Sequence, residues 1–233
     1  MIRFSSWGMG LVVFSASLSA FAQDAEPAPA ADTAAPAPAG GTAVADASAS
    51  SGGYADKKIR LGLRLGYALP MGSVADGSKM SDLYSGQIPI WIDAGYMVTP
   101  NILVGLYGQY GFVSVKNCPT GVSCSAHDLR FGVQGQYHIM PTQSADPWLG
   151  LGVGYESLST SLSGGGLSVD GSVTGLEFLN LQGGADFKIA DAFAVGPFLS
   201  FSLGEYSSAT GGSIDKKAMH EWLTFGVKGT FGL

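Results

Sequence analysis

Apolar and polar residues trade places at every second position through eight stretches of this chain. From Lys58 to Leu69, Ile59, Leu61, Leu63, Leu65 and Tyr67 alternate with Arg60, Gly62, Arg64 and Gly66, the period-2 signature of a strand with two unlike faces. Ile88, Ile90, Ile92, Ala94, Tyr96 and Val98 then oppose Gln87, Trp91, Asp93 and Gly95, and Pro89 is expected near that strand's end. Ile102, Val104, Leu106, Tyr110 and Phe112 oppose Gly105, Tyr107, Gln109 and Gly111, while Leu129, Phe131, Val133, Tyr137 and Ile139 oppose Asp128, Arg130, Gln134, Gln136 and His138. Leu149, Leu151, Val153 and Tyr155 face away from Trp148, Gly150, Gly152, Gly154 and Glu156. In the sixth stretch Leu179, Leu181, Ala185 and Phe187 oppose Asn180, Gln182, Gly184, Asp186 and Lys188. In the seventh, Phe193, Val195, Leu199, Phe201 and Leu203 oppose Gly196, Phe198, Ser200, Ser202 and Gly204. Leu223, Phe225, Val227, Phe231 and Leu233 finish the series against Trp222, Thr224, Gly226, Lys228, Thr230 and Gly232.

The connections alternate too. Long polar segments follow strands one, three, five and seven (70–86, 114–126, 157–175 and 207–217), and tight turns such as Thr99-Pro100-Asn101 follow the others. Short turns on one side and long loops on the other are the arrangement of outer-membrane barrels, whose last strand must pair with the first so that no edge meets lipid. Outward aromatics fall in two rows: Tyr96, Tyr137, Phe187, Phe193 and Phe231 near the short turns, and Tyr67, Tyr110, Phe112 and Tyr155 near the long loops. Such rows read as interfacial girdles. The fold class expected is therefore all-β: an eight-stranded antiparallel up-and-down transmembrane β-barrel over 57–233. A lipocalin-like barrel has the opposite phase, with its apolar side inward.

With this architecture and the stretches Val98-Thr99-Pro100-Asn101, Gly150-Leu151-Gly152-Val153-Gly154 and the apolar final strand, residues 57–233 resemble the small eight-stranded outer-membrane barrels of the OmpA/OmpX type. The resemblance implies an outer-membrane location in a Gram-negative envelope, both barrel ends on the periplasmic side, and recognition of the final strand by the barrel-insertion machinery. That family often ends its barrel on an aromatic residue; here Phe231 stands two residues before Leu233. No peptidoglycan-binding domain follows the barrel, so the anchoring role of the larger relatives is not carried over.

Composition agrees with strands and sets the outer limits of function. The 233 residues are 46% apolar and 13% charged, with 35 glycines and a net charge of −6. No basic stripe is present, so nucleic acid is not an expected partner. Residues 1–22 read as a signal peptide, with Arg3, an apolar run through Phe14 and an Ala20-Phe21-Ala22 cleavage pattern. Residues 23–56 read as an Ala/Pro-rich disordered periplasmic linker.

Chemistry is sparse. The inward parity collects Arg60, Arg64, Asp93, Arg130, Glu156, Asp186, Lys188 and Lys228. An eight-stranded lumen is only wide enough to be filled by side chains, so these are expected to form a packed charge network, with Arg64 paired to Asp93 and Arg130 to Glu156. A narrow pore is the alternative. Cys118 and Cys124, the only cysteines of an exported chain, are expected to form a disulfide in the second outer loop, with Pro119-Thr120-Gly121 folding the segment back. Some barrels of this size resemble the chain yet act on lipid A through a His and a Ser on the lipid face. Here His127 and His220 are placed at loop edges and His138 inward, none with a Ser two residues along its expected strand. No His/Asp/Glu cluster has metal-ligand spacing, and neither Gly164-Gly165-Gly166 nor Gly211-Gly212 opens a helix as a phosphate loop would. The expected protein is non-enzymatic and without cofactor or metal: a monomer bathed in outer-membrane lipids, its external loops meeting an unidentified ligand or surface.

Overall fold

The computed structural model describes residues 53–233. The expected signal peptide and nearly all of the expected linker lie outside them. Eight long strands form: β1 (Ile59–Ala75), β2 (Tyr84–Met97), β3 (Ile102–Val115), β4 (Ser123–His138), β5 (Ala145–Gly164), β6 (Leu167–Ala190), β7 (Phe193–Ala209) and β8 (Met219–Gly232). Two-residue ladders, Ser78–Lys79 and Gly212–Ser213, and a one-turn helix α1 (Met80–Leu83) decorate one end. Each strand pairs antiparallel with its neighbours in sequence, and β8 returns to β1 from Arg60↔Gly232 to Gly72↔His220. The ring of hydrogen bonds is closed, which removes every edge from the belt.

Burial follows the alternation. Along β1, Leu61, Leu63 and Leu65 are exposed while Arg60 and Arg64 are buried, so the apolar face is outside and the charged face inside. The girdles also form: Ile59 pairs with Tyr96, Ile102 with Tyr137 and Phe193 with Phe231 at the short-turn end. At the other end Phe225 stands across from Tyr67 and Phe131 across from Tyr155, with ring centroids 6.2 and 5.7 Å apart.

Three features depart from the pattern. Pro89 is not at a strand end; it sits inside β2, and the β1–β2 ladder skips from Leu65↔Ile90 to Ala68↔Gln87 because proline has no N–H to give. The Gly/Ser-rich stretch expected as a loop to about Gly175 is a tall hairpin instead, β5 and β6 pairing up to Gly164↔Leu167. Its turn is Gly165-Gly166, both with positive φ, as a two-residue hairpin of this kind requires. Finally, a bulge at Phe178 breaks the phase of β6: Gly152 pairs with Asn180 but Gly154 with Glu177. Strict alternation from Leu179 would place Glu177 on the apolar outer face; the extra residue turns it inward.

Residues 53–56, the described end of the expected linker, are folded. Tyr54–Asp56 forms a 3-10 turn whose Tyr54 is buried in the short-turn mouth, its ring 3.8 Å from the Arg60 guanidinium carbon.

Candidate functional site

The lumen is filled in layers, each assembled from strands distant in sequence. At the short-turn mouth, Tyr54 and Arg60 lie beneath Lys228, which reaches Gln136 at 3.3 Å and Asp186 at 3.4 Å and sits 4.2 Å above the Trp148 ring. Trp148 donates its indole N–H to Asp186 at 3.0 Å, and His138 meets Asp146 at 2.8 Å. Burial pushes the Tyr54 phenol well above its ordinary value, with the charge of Asp186 adding to the effect.

At mid-height Arg64 spans the lumen. Its Nε and Nη2 donate to the two Asp93 oxygens at 2.6 and 2.8 Å, and its Nη1 donates to Gln182 at 2.8 Å. Gln134 closes the ring by donating to Asp93 at 2.8 Å. Asp93 lies opposite Gly62, diagonal to Arg64, and a side chain at Gly62 would collide with it. Trp91, Trp148 and Phe198 pack around the guanidinium, whose carbon is 4.5 Å from the Trp91 ring, and Tyr107 packs against Trp91 in turn.

Above this layer Arg130 gathers partners from β4 through β7: Asp128 at 2.8 Å, Glu156 at 3.1 Å, Glu177 at 3.5 Å and the Ser202 hydroxyl at 2.8 Å. Glu156 also accepts from Tyr206 at 2.5 Å and Trp222 at 3.3 Å, and meets His220 at 2.9 Å. Glu177 accepts from Tyr107 and from Asn180, the latter at 3.0 Å. The mouth at the long-loop end is shut by an apolar plug of Ala68, Met80, Tyr84, Val113, Ala126, Leu158, Tyr206 and Trp222.

Of the residues singled out in the sequence, Arg60, Arg64, Asp93, Arg130, Glu156, Asp186 and Lys228 are buried in the lumen. Lys188 differs. It is half-buried at the short-turn rim, donating to the Pro141 carbonyl. Sequence reasoning missed Glu177, and with it the partner of the inward-facing Tyr107, and left Asp128 out of the charge network. The signal for Glu177 was present as two adjacent apolar residues, Phe178-Leu179, bracketed by polar ones, which is how a bulge reads in an alternating strand.

His220 is not at a loop edge but inside, stacked on Tyr206 with centroids 3.9 Å apart. His127 faces outward near the top of β4, stacked on Tyr110. Because β4 starts at Ser123, Ser125 shares that face and Ser159 pairs across from His127. The His127 imidazole makes no hydrogen bond to either hydroxyl among the described residues, so no nucleophile and base are joined there.

Cys118 and Cys124 are bonded, their Cα atoms 5.9 Å apart. The Val122 N–H closes the loop onto the Pro119 carbonyl at 3.1 Å. This loop abuts the tip of the tall hairpin, where Ser123 pairs with Ser163.

No protein-family model and no curated protein matches the chain. Among solved structures it is similar to Neisserial surface protein A, with 12% identity and a TM-score of 0.47 over 73% of this chain and 95% of that one. It is also similar to the outer membrane protein OprG from Pseudomonas aeruginosa, with 15% identity and a TM-score of 0.46 over 76% of this chain and 97% of that one. For Ail, the attachment invasion locus protein of Yersinia pestis, the figures are 15% identity and a TM-score of 0.41 over 75% and 99%. These likenesses concern fold. The architecture itself rests on the closed ladder from β8 to β1 and on the inverted polarity of its two faces: this is an all-β, eight-stranded antiparallel up-and-down barrel with an apolar exterior and a packed polar interior.

Proposed function

We propose that this chain is a structural and interaction protein of a Gram-negative outer membrane, inserted with its N-terminal tail in the periplasm, closed to ions, and working through its outer rim. The observation that carries this reading is the continuous filling of the lumen, from Tyr54 and Arg60 at one mouth to Trp222, Tyr206 and Met80 at the other. An ion crossing it would have to break the buried ion pairs of Arg64 with Asp93 and of Arg130 with Asp128, Glu156 and Glu177. The exposed apolar belt supports contact with outer-membrane lipids, and β8 is the segment offered to the insertion machinery. One chain closes the ring alone, which supports a monomer. The orientation is supported by the tight turns at one end and the tall hairpin and disulfide loop at the other.

The outer rim offers a rigid contact surface. β7 stops pairing with β6 at Val173↔Ala209, whereas β5 continues with β6 to Leu167. The wall therefore stands higher on the β4–β5–β6 side, braced by the disulfide loop. Conductance across planar bilayers tests the closed lumen: the refolded barrel gives no steady channel, and a steady channel overturns the reading. Adhesion of outer-membrane vesicles to cultured cells and inert surfaces tests the rim. Replacing residues 160–170 by a two-residue turn reduces adhesion; unchanged adhesion removes the hairpin from the role.

A further inference from the structure

The tall hairpin reverses the polarity of the barrel below it. Up to Tyr155 and Leu176 the outward side is apolar. Above them the outward positions of β5 are Ser157, Ser159, Ser161 and Ser163, paired with Thr174, Ser172, Asp170 and Ser168 of β6. Ser161 donates to Asp170 at 2.5 Å on that face. Inward positions are apolar instead: Leu158 opposite Val173 and Leu162 opposite Val169. A wall that is polar outside and apolar inside is built to stand in water, so the reversal marks the upper limit of the lipid belt.

Inside this wall lies a cleft of about 300 Å³, bounded by Val74, Tyr84, Leu158, Leu162, Val169 and Val173. Leu158 and Tyr84 are buried in the outer plug and form its floor. The upper residues are open: Leu162 is 38% and Val169 65% exposed. Among the described residues no charged side chain lines it. Its inward hydroxyls are those of Tyr84 and Thr160, joined at 2.9 Å at the floor, while Ser172 and Thr210, 3.2 Å apart, border the rim from the outward face. Gly171 borders the cleft, and a side chain there would meet nothing within 4 Å.

We propose that this cleft binds an uncharged, chiefly apolar small molecule carrying one or two hydrogen-bonding groups. Its size is at the lower end of small-molecule sites, roughly 300–1,000 Å³, and its lining has their composition of apolar walls with a few placed polar groups. A charged ligand would leave water for a site with no counter-charge. The mid-barrel apolar grooves face lipid and are covered by acyl chains; this one opens above the belt. The proposal goes beyond the closed-barrel function, resting only on the hairpin's standing in water, and a barrel that conducted would leave it unaffected.

The test is a titration of 1-octanol and of octanoate into the full chain in lipid nanodiscs, read by methyl NMR. Octanol produces saturable shifts at Leu158, Leu162, Val169 and Val173, while Leu63 and Leu106 in the belt shift only linearly as octanol enters lipid. Octanoate binds about tenfold more weakly or not at all. Gly171→Leu fills the cleft and weakens octanol by about tenfold or more. Ser159→Leu places the same side chain on the opposite face and leaves binding unchanged; gel mobility before and after boiling reports that both variants fold. Absence of saturable shifts, equal binding of octanoate, or an undiminished response in Gly171→Leu overturns the proposal. So does a result in which an extended peptide of alternating leucine and serine shifts the Leu167–Gly171 amides while octanol does nothing, which would assign this face to strand addition.

Discussion

Replacing Arg64 by methionine isolates the energetics of the filled lumen. Arg64 is fully buried, and the change removes a bidentate pair with Asp93 at 2.6 and 2.8 Å together with a hydrogen bond to Gln182 at 2.8 Å. Methionine keeps an unbranched apolar stem as far as the Nε position but offers Asp93 no charge. Breaking a buried ion pair from one side costs ~3–5 kcal/mol, because the remaining charge is uncompensated. Asp93 keeps the amide of Gln134 at 2.8 Å, and its side chain is 8% exposed, which argues for the lower end of that range. With urea m-values of ~1–3 kcal/mol/M, a loss of ~3 kcal/mol moves the midpoint down by ~1–3 M. The assay is equilibrium unfolding from lipid vesicles followed by tryptophan fluorescence, to which Trp91 and Trp148 contribute from beside the substituted site. Arg64→Met/Asp93→Leu removes both charges and recovers most of the loss, since an apolar replacement of a buried pair is often neutral or better. A midpoint unchanged in the single variant, or a double variant no more stable than the single, refutes the argument that the pair is dry and mutually compensating.

Two further perturbations test the boundaries of the fold. Leu63→Arg puts a charge at mid-belt, where Leu63 is 59% exposed between the two girdles, and costs ~2–4 kcal/mol in vesicle unfolding. The same substitution at Ser159 changes stability by no more than ~0.5 kcal/mol, and equal costs at the two sites would show that the lipid limit is misplaced. Reduction of Cys118–Cys124 withdraws ~2 kcal/mol or less of loop-closure stabilisation; the barrel keeps its unheated gel mobility while trypsin cuts faster after Lys116, whose ammonium is held by the Ser81 carbonyl at 2.8 Å. Alkylation of both thiols in freshly isolated protein without reductant contradicts the bond.

Strand number, phase and orientation of faces were legible because they are local. A period of two is set by backbone pleat, and a membrane makes the apolar face the outer one, so Leu61, Leu63 and Leu65 could be assigned outside and Arg60 and Arg64 inside with no knowledge of partners. Neighbouring-strand pairs were within reach for the same reason: Arg130 opposes Glu156 directly, and Arg64 reaches Asp93 on the diagonal. Contacts across the lumen were not. Arg130 takes Glu177 and Ser202 from β6 and β7, and Arg64 takes Gln182 from β6, through the curvature and closure of the sheet, which no residue spacing encodes. His220 was misplaced because its depth depends on how far β8 runs beside β1, a matter of register. The tall hairpin was hidden differently. Its alternation of Leu158 and Leu162 with serines is in the sequence, but with the polarity reversed and glycines at the turn it reads as loop until β4 and β6 are seen pairing with it. Glu177 needed the bulge at Phe178, since one inserted residue exchanges the two faces of a strand, and only the ladders on both sides show where the insertion falls. What the chain determined by itself is therefore everything that repeats along one strand; what the tertiary structure decided is everything that depends on which strands curve round to meet.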